Sequence, residues 1–349
     1  MRKISIISIV LFCLVCIGTV SAGEYTGRAV EIKLASEDIE GDFMTTWGQK
    51  FSDEMKTWSD GKIDIKVYPY GSLGDIRDIN ELCQYGVVGS VFTDYGWISS
   101  FVPEAQVLAL HYLWPKDKAP EVLAWVMKNG KFMGVLEKSF RRVGLVPLGV
   151  MWEDWMWITS KKPVHKMEDL KGVKLRLMSS KLLVEQWKSY GATPTPMSYG
   201  EVYGGLQMGL IDAQMNPIFA DYSMKIYEVT DYFIKTYAEA YLGIPTMNQA
   251  LFDSLPKNAQ KKMRQFWSDA NVSSAKWIEE KNNSDMEKIK AERPEIEFTT
   301  LSDQEIEKMR NIAVPNYSDF SKIGGKDAQL IMDTLVKDVA DAKKALGVE

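Results

Sequence analysis

The segment 171–222 alternates strand-like and helix-like patterns, and this alternation constrains the fold more than any other feature of the sequence. Val173, Leu175 and Leu177 alternate with charged residues, which is the period of a strand with one apolar face. A helical stretch, a second strand and a second helix follow, and the run 210–215 predicts a third strand. The segment is therefore predicted to fold as β-α-β-α-β, the order of an α/β protein.

Turn signals in this segment place two polar side chains at strand ends. Ser198 with Glu201 three residues later has the spacing of a capping box, so a helix should begin there, and Gly209 should end it. Arg176 then lies near the end of one strand, and Asn216 lies just past the end of another.

The first part of the chain repeats this order of elements. Apolar alternation and helical spacing predict strands at 30–35, 63–67 and 87–92 and a helix at 43–58. Ser72 with Asp75 is placed to cap a second helix. Farther along, 118–142 is predicted to be helical. Two similar α/β units that each need a partner surface predict two lobes facing a cleft.

The N-terminus has the features of a secretory signal. Arg2 and Lys3 precede an apolar run, and Val20-Ser21-Ala22 is a small-residue cleavage site, which predicts that residues 1–22 are removed. The alternative, an uncleaved anchor helix, is disfavoured because the apolar run is short for a membrane span. Cleavage would leave Cys83 as the only cysteine, so no intrachain disulfide is expected. The mature protein is predicted to be soluble and periplasmic.

Composition and motifs exclude several classes of function. The net charge of −5 provides no basic surface for nucleic acid or anionic lipid, so an anionic ligand needs a local cation. His111 and His165 are the only histidines, and the sequence has no phosphate-binding glycine loop and no hydrolase motif. We therefore expect no enzymatic activity, no metal, no other cofactor and no nucleic-acid partner.

Two motifs resemble the solute-binding proteins of tripartite ATP-independent periplasmic (TRAP) transporters, of the C4-dicarboxylate and sialic acid type. They are Gly-x-Lys-x-Arg at 172–176 and Glu-x-Tyr-x-x-Leu-Gln-x-Gly-x-x-Asp-x-Gln-x-Asn at 201–216. The resemblance extends over nearly the whole mature chain. It implies a two-lobed periplasmic binding protein fold with a hinge and a long helix that spans both lobes. The polar helical run from Pro256 to about Glu292 fits that helix.

The chain is predicted to cross between the lobes at 151–158 and to cross back at 230–241. The resulting boundaries are 23–150 plus about 242–280 for lobe I and 151–241 plus about 281–349 for lobe II. The resemblance implies an extracytoplasmic receptor that closes on a small organic acid and docks on the small and large membrane subunits of a transporter. It implies no membrane insertion of its own after signal cleavage. The alternative is a ligand-sensing module that reports to a membrane signalling receptor.

The resemblance also implies site residues. In that family the arginine corresponding to Arg176 clamps the ligand carboxylate, which suits a guanidinium because its donor fork matches two carboxylate oxygens. Asn216 also lines the site, Tyr199 corresponds to an aromatic position against the ligand, and Ser179 lies on the ligand-facing loop. Glu37 and Tyr237 are further candidates. Four more candidates lie at or beside positions where the sequence departs from the family pattern.

Departures from the family pattern bear on the ligand. Met156, beside Trp155, stands where sialic acid and several dicarboxylate binders have a second arginine. Trp97 stands at a further basic position, and Asp94 stands where sialic acid binders have glutamate. One anion clamp among aromatic walls favours a monocarboxylate with an aromatic or apolar body. An organosulfonate or a dicarboxylate remains an alternative, and tryptophans 152, 155 and 157 could instead pack the hinge.

Overall fold

The structure is a computed structural model that describes residues 25–348. The predicted signal peptide lies outside the described residues, so its cleavage stays a prediction. The strands are β1 Val30–Ser36, β2 Ile63–Tyr68, β3 Ser90–Asp94, β4 Leu145–Pro147, β5 Met151–Ser160, β6 Lys174–Leu177, β7 Thr193–Pro196, β8 Ala213–Asn216, β9 Tyr232–Asn248 and β10 Glu297–Thr300.

The helices cover both faces of the sheet that these strands form. They are α1 Phe43–Trp58, α2 Ile76–Gln84, α3 Tyr95–Ile98, α4 Ala119–Asn129, α5 Phe132–Arg142, α6 Lys181–Ser189, α7 Val202–Gln207, α8 Ile218–Ser223, α9 Gln249–Ser254, α10 Lys257–Glu292, α11 Asp303–Ala313, α12 Phe320–Ile323 and α13 Ala328–Leu346. Short 3-10 turns occur at Pro103–Ala109, Met167–Leu170, Tyr199–Glu201, Ile226–Glu228 and Pro315–Asp319.

Two parallel units form the ends of one mixed sheet with the order β2-β1-β3-β9-β5-β8-β6-β7. Strands β2, β1 and β3 are parallel at one end, and β8, β6 and β7 are parallel at the other. β5 and β9 lie between them as an antiparallel pair. Each unit has the predicted β-α-β-α-β order, and the predicted α/β, two-lobed fold class is confirmed.

The hinge lies in the paired strands β5 and β9. Their pairing shifts register twice, between Trp152 and Trp155 and between Trp155 and Trp157. At the same level, Asp154 and Tyr237 have left-handed backbones, with φ of 86° and 53°. Such conformations are costly for residues other than glycine and occur where the surrounding structure imposes them. The strands therefore change direction here, where the chain passes between the lobes.

The long helix α10 connects both lobes along one side of the sheet. Its 36 residues extend about 54 Å at 1.5 Å per residue. It packs on α1 and α4 in the first part of the chain and on α8 in the second. The terminal helix α13 packs on α4 and α5, so it lies beside elements assigned to lobe I. The proposed lobe boundaries stay a prediction.

The stretch 118–142 is helical as predicted and contains two helices; Asp338 of α13 accepts hydrogen bonds from the backbone N–H groups of Lys131 and Phe132 at 2.6 and 2.7 Å where they meet. Two local predictions are wrong, and both concern helix caps. Helix α2 is capped by Asp75 rather than Ser72, since Asp75 and Asp78 form the capping box.

The second concerns Ser198, whose side chain does not cap a helix. Its hydroxyl instead donates to Asp75 Oδ2 at 2.9 Å, across the cleft between the lobes. A 3-10 turn at Tyr199–Glu201 precedes the α-helix that begins at Val202. Ser223 makes a similar bridge, because its hydroxyl donates to Asp42 Oδ1 at 2.8 Å. These hydrogen bonds hold the lobes in a closed arrangement.

Candidate ligand-binding site

A small cavity lies where the carboxyl ends of the strands from the two lobes face each other. The first lobe contributes the ends of β1 and β3, and the second contributes β6 and β8. The centre of a water molecule can move through only about 10 Å³ of this cavity, which we call the cleft cavity. It is lined by Glu37, Asp38, Ile76, Asp94, Trp97, Arg176, Met178, Tyr199, Asn216, Ala220 and Tyr241.

Arg176 presents an unsatisfied guanidinium to the cleft cavity. The residue is 1% exposed, and its Nε donates to the carbonyl oxygen of Met197 at 3.0 Å. Its Nη1 and Nη2 have no hydrogen-bond partner among residues 25–348. Burial lowers its pKa to about 10, although the nearby Tyr199 and Asp94 favour the charged form. Two buried donors without partners are costly, and a ligand carboxylate would satisfy both.

Asn216, the last residue of β8, is fixed by a buried polar network. Its Nδ2 donates to Gln214 Oε1 at 2.5 Å. The amide of Gln214 donates in turn to Thr159 Oγ1 and to Asp221 Oδ1, both at 2.6 Å. The side-chain oxygen of Asn216 has no hydrogen bond to the described protein, so it is free to accept one from a ligand.

Two buried acids face the arginine from the first lobe. Glu37 accepts hydrogen bonds from the backbone N–H of Asp94 at 2.9 Å and from Asn80 Nδ2 at 3.3 Å. Asp94 accepts from the backbone N–H of Trp97 at 2.9 Å and from the Tyr241 hydroxyl at 3.3 Å. Burial raises the pKa of Glu37 well above its ordinary value, and it raises that of Asp94 to about 6. Each carboxyl would be more stable beside a cation.

Further acids extend this cluster beneath the cleft cavity. Glu153 is fully buried, and neither of its carboxyl oxygens has a hydrogen-bond partner in the described chain. Burial, followed by the charges of Asp38 and Asp94, raises its pKa well above the ordinary value. Asp42 pairs with Lys281 Nζ at 3.2 Å, yet burial still raises its pKa to about 6. The acidic side chains on the first-lobe side of the site are therefore buried away from solvent.

Aromatic rings form the remaining walls. Trp97, Tyr199 and Tyr241 line the cleft cavity and are each at most 8% exposed. Tyr70 packs on Tyr199 from the opposite lobe with ring centroids 5.6 Å apart. Such rings provide apolar area and a face on which a flat or cationic group can stack.

The structure brings together six of the ten predicted site residues. Glu37, Asp94, Trp97, Arg176, Tyr199 and Asn216 all line the cleft cavity. Met156 is buried in β5, and Ser179 is exposed on the loop after β6, so neither lines it. Trp155 and Tyr237 line a second cavity behind the hinge. The assigned roles of all ten stay predictions.

Sequence analysis missed Asp38 and Tyr241 as cavity-lining residues. Asp38 follows Glu37 at the end of β1, so its position after a predicted strand was a usable signal. Tyr241 lies within a long apolar stretch, and nothing in the local pattern marks it as facing a site. Only the pairing of β9 with β3 and β5 places it there.

The pKa shifts predict that the closed form becomes more stable relative to the unfolded chain as the pH falls from 7 to 5. In the folded state Asp42 and Asp94 have pKa values of about 6, above their ordinary 3.8. Their stabilising contribution is full below the unfolded pKa and is lost as the pH rises through 6. Asp64 and Glu168 have lowered pKa values, so they stay ionised throughout this window. Melting temperatures at pH 5, 6 and 7 test this expectation.

The matched control for the pH effect is Asp94→Asn, which should reduce the gain in stability on acidification. A melting temperature that falls steadily from pH 7 to pH 5 would contradict the assignment of raised pKa values to these carboxyls.

Within residues 25–348, no helix combines the length and the hydrophobicity needed to span a membrane. In the same part of the chain, no group of three or more histidine, cysteine, aspartate or glutamate side chains has a geometry that could hold a metal ion.

Two α/β lobes, joined by a pair of crossing strands and closed over a small cavity with a buried cation, define a two-lobed solute-binding protein. Residues 36–323 match the family described as bacterial extracellular solute-binding protein, family 7. The chain belongs to this family. The resemblance to TRAP solute-binding proteins is therefore confirmed, and so is the expectation that the protein is a receptor rather than an enzyme.

Similar proteins include binders of several small solutes. The ectoine/5-hydroxyectoine-binding periplasmic protein UehA of Ruegeria pomeroyi is 33% identical over 93% of this chain and 94% of its own. The periplasmic ectoine-binding protein of the TeaABC TRAP transporter of Halomonas elongata has a solved structure. It is 32% identical with a TM-score of 0.83, and the match covers 89% of this chain and all of that one.

A third relative was solved with a different molecule. The TRAP periplasmic solute-binding protein of Desulfovibrio salexigens with bound orotic acid is 25% identical, with a TM-score of 0.83. The match covers 89% of this chain and 99% of that chain. Both solved structures share the two-lobed fold over nearly their full length.

Proposed function

We propose that this protein is the periplasmic receptor of a TRAP transporter and that it binds a small organic acid whose carboxylate is held by Arg176. The observation that carries the proposal is the buried guanidinium with two unpartnered nitrogens at the interface of the lobes. A carboxylate accepts two parallel hydrogen bonds from such a fork. Closure withdraws the charge of Arg176 from water, and a bound ligand would offset that cost. Closure is therefore favoured only when the ligand is bound.

The acids across the cavity favour a ligand that also carries a positive charge. Glu37 and Asp94 lie on the wall that the first lobe contributes, and burial destabilises their ionised forms. A cationic group beside them would offset that cost, as the carboxylate does for the arginine. A flat cation would also stack well on the neighbouring ring of Trp97. A small zwitterionic carboxylate is the ligand class that fits the arginine, the two acids and the aromatic rings together.

Ectoine is a suitable probe of this class, because it combines one carboxylate with a cyclic amidinium group. Two relatives that are at least 32% identical are named as ectoine-binding proteins. An aromatic monocarboxylate, as favoured by the sequence, would satisfy Arg176 and the rings but leave the acids without a partner. A dicarboxylate would add a charge of the wrong sign beside Glu37 and Asp94.

A melting-temperature screen of the purified protein should rank ectoine first, then aryl carboxylates, then succinate and malate. The reason for this order is the number of buried charges that each ligand pairs. A larger stabilisation by succinate than by ectoine would contradict the zwitterion proposal. Loss of the response to ectoine in Arg176→Ala would attribute that response to the cleft cavity.

We also propose that the protein is exported, that residues 1–22 are removed, and that the closed form docks on the small and large membrane subunits. Support comes from the basic and apolar pattern of the N-terminus and from relatives described as periplasmic components of TRAP transporters. In this scheme the ion gradient acts on the membrane subunits, and the receptor contributes selectivity through its closed state.

A further inference from the structure

A second cavity of about 440 Å³ lies behind the hinge and shares no lining residue with the cleft cavity. Its walls come from the loop before α4, from β5 and β9 where they change direction, and from the middle of α10. We call it the hinge cavity and define it by Lys116, Trp152, Trp155, Lys235 and Tyr237. Its volume is in the range of small-molecule sites.

Three aromatic side chains form the floor of the hinge cavity. Trp152 packs edge-on against Trp155, and Trp155 packs edge-on against Tyr237, with ring centroids 5.3 Å apart in both pairs. The two tryptophans are at most 5% exposed, so the stack is rigid. Val272 of α10 also lines the cavity and is 61% exposed. The aromatic edges and Val272 therefore offer apolar contacts within a lining that is otherwise polar and charged.

Two lysines extend over the same ring. Lys116 Nζ and Lys235 Nζ lie 5.0 and 4.9 Å from the centroid of Tyr237. Lys116 pairs with the exposed Asp303 at 3.2 Å. Lys235 lines the cavity and forms no ion pair within 4 Å in the described chain. Burial lowers its pKa; the charges of Asp154 and Glu279, which line the same cavity, oppose this shift, and the charge of Lys116 adds to it.

Like charges that converge on one ring repel each other, and an anion between them would remove that repulsion. The floor beside them suits a ring or another flat apolar body. Asp117, Glu121, Asp154 and Glu279 also line the cavity and would repel a ligand with several negative charges. The size of the cavity and its balanced charges thus favour a small molecule with a single charge, held where the two lysines meet.

We propose that the hinge cavity is a second binding site, separate from the cleft cavity, for a small monoanion with a flat apolar body, such as an aryl carboxylate. The carboxylate lies between Lys235 and Lys116, and the body lies on Trp155 and Tyr237. Because Tyr237 has one of the two left-handed backbones of the hinge, the occupant contacts the residues at which the chain crosses between lobes.

Calorimetric titration with indole-3-acetate and with its uncharged amide, indole-3-acetamide, tests this proposal. The parent should bind the acid and not the amide. Lys235→Gln should weaken binding of the acid by about tenfold, which corresponds to ~1.4 kcal/mol. Arg176→Ala, which removes the cation of the cleft cavity, should bind the acid as the parent does. Circular dichroism of each variant verifies that it is folded.

Lys276→Gln is the matched control. Lys276 lines the same cavity, but its side chain is 77% exposed and lies 3.8 Å from Glu280, so its removal should leave binding unchanged. Binding that is lost in Arg176→Ala would place the indole acid in the cleft cavity and overturn the proposal. Equal binding by the parent and Lys235→Gln, equal binding of acid and amide, or no binding by the parent would also overturn it.

Discussion

Arg176→Ala should lower the affinity for the best carboxylate ligand by about 30-fold to several thousand-fold. The reason is that truncating one partner of a buried, hydrogen-bonded charge pair costs ~2–5 kcal/mol, and each 1.4 kcal/mol is tenfold in the dissociation constant. Isothermal titration of parent and variant measures the ratio directly. The ligand-induced rise in melting temperature should disappear in parallel, because it depends on binding to the folded state alone.

Arg176→Lys is the matched control for that prediction. It keeps a positive charge but replaces the planar fork by a single ammonium group, so its affinity should fall between those of the parent and the alanine variant. Without ligand, Arg176→Ala should fold normally, because it removes a buried charge with two unpartnered nitrogens. Binding by Arg176→Ala that equals the parent's would show that the carboxylate is held elsewhere.

Trp267→Ala should lower the free energy of unfolding by about 3–5 kcal/mol, the cost typical of removing a fully buried aromatic side chain. Trp267 lies on α10 and is fully buried. Its ring centroid is 5.0 to 5.1 Å from those of Phe51, Phe92 and Phe266. The substitution leaves a cavity where the long helix packs on the first lobe. Urea unfolding of the unliganded protein measures the change.

Val272→Ala provides the comparison on the same helix. Val272 is 61% exposed, so its truncation should change stability by no more than about 0.5 kcal/mol. If both substitutions had equally small effects, the packing of α10 on the lobe would not be a main source of stability. That outcome would also weaken the role of α10 in holding the lobes together.

The proposed site explains why closure would depend on ligand. In the closed arrangement one cation and several acids are withdrawn from water, each with incomplete pairing. The hydrogen bonds of Ser198 and Ser223 across the cleft favour closure, but each contributes only about 0.5–1.5 kcal/mol. A ligand that pairs the buried charges binds the closed form more tightly than the open form, and this difference in affinity shifts the equilibrium toward the closed form.

Local sequence patterns predicted most of the elements because their causes are local. Helix α1 begins and ends where the spacing of its apolar residues predicts, and α10 matches the predicted long helix within one residue at its start. The error at Ser198 occurred because a distant residue intervened. Asp75, on the opposite lobe, binds the Ser198 hydroxyl, which therefore caps no helix.

The sequence by itself determined the two α/β units, the long helix and the family motifs, and it singled out Arg176 as a candidate, because periodicity and short motifs depend on neighbouring residues. Tertiary structure decided which side chains share a cavity. It buried Arg176 on a strand whose pattern suggested an exposed charge, gathered Asp38 and Tyr241 beside it, and placed Trp155 and Tyr237 behind the hinge. These outcomes depend on how β9 pairs with strands of both lobes, and no local pattern encodes that pairing.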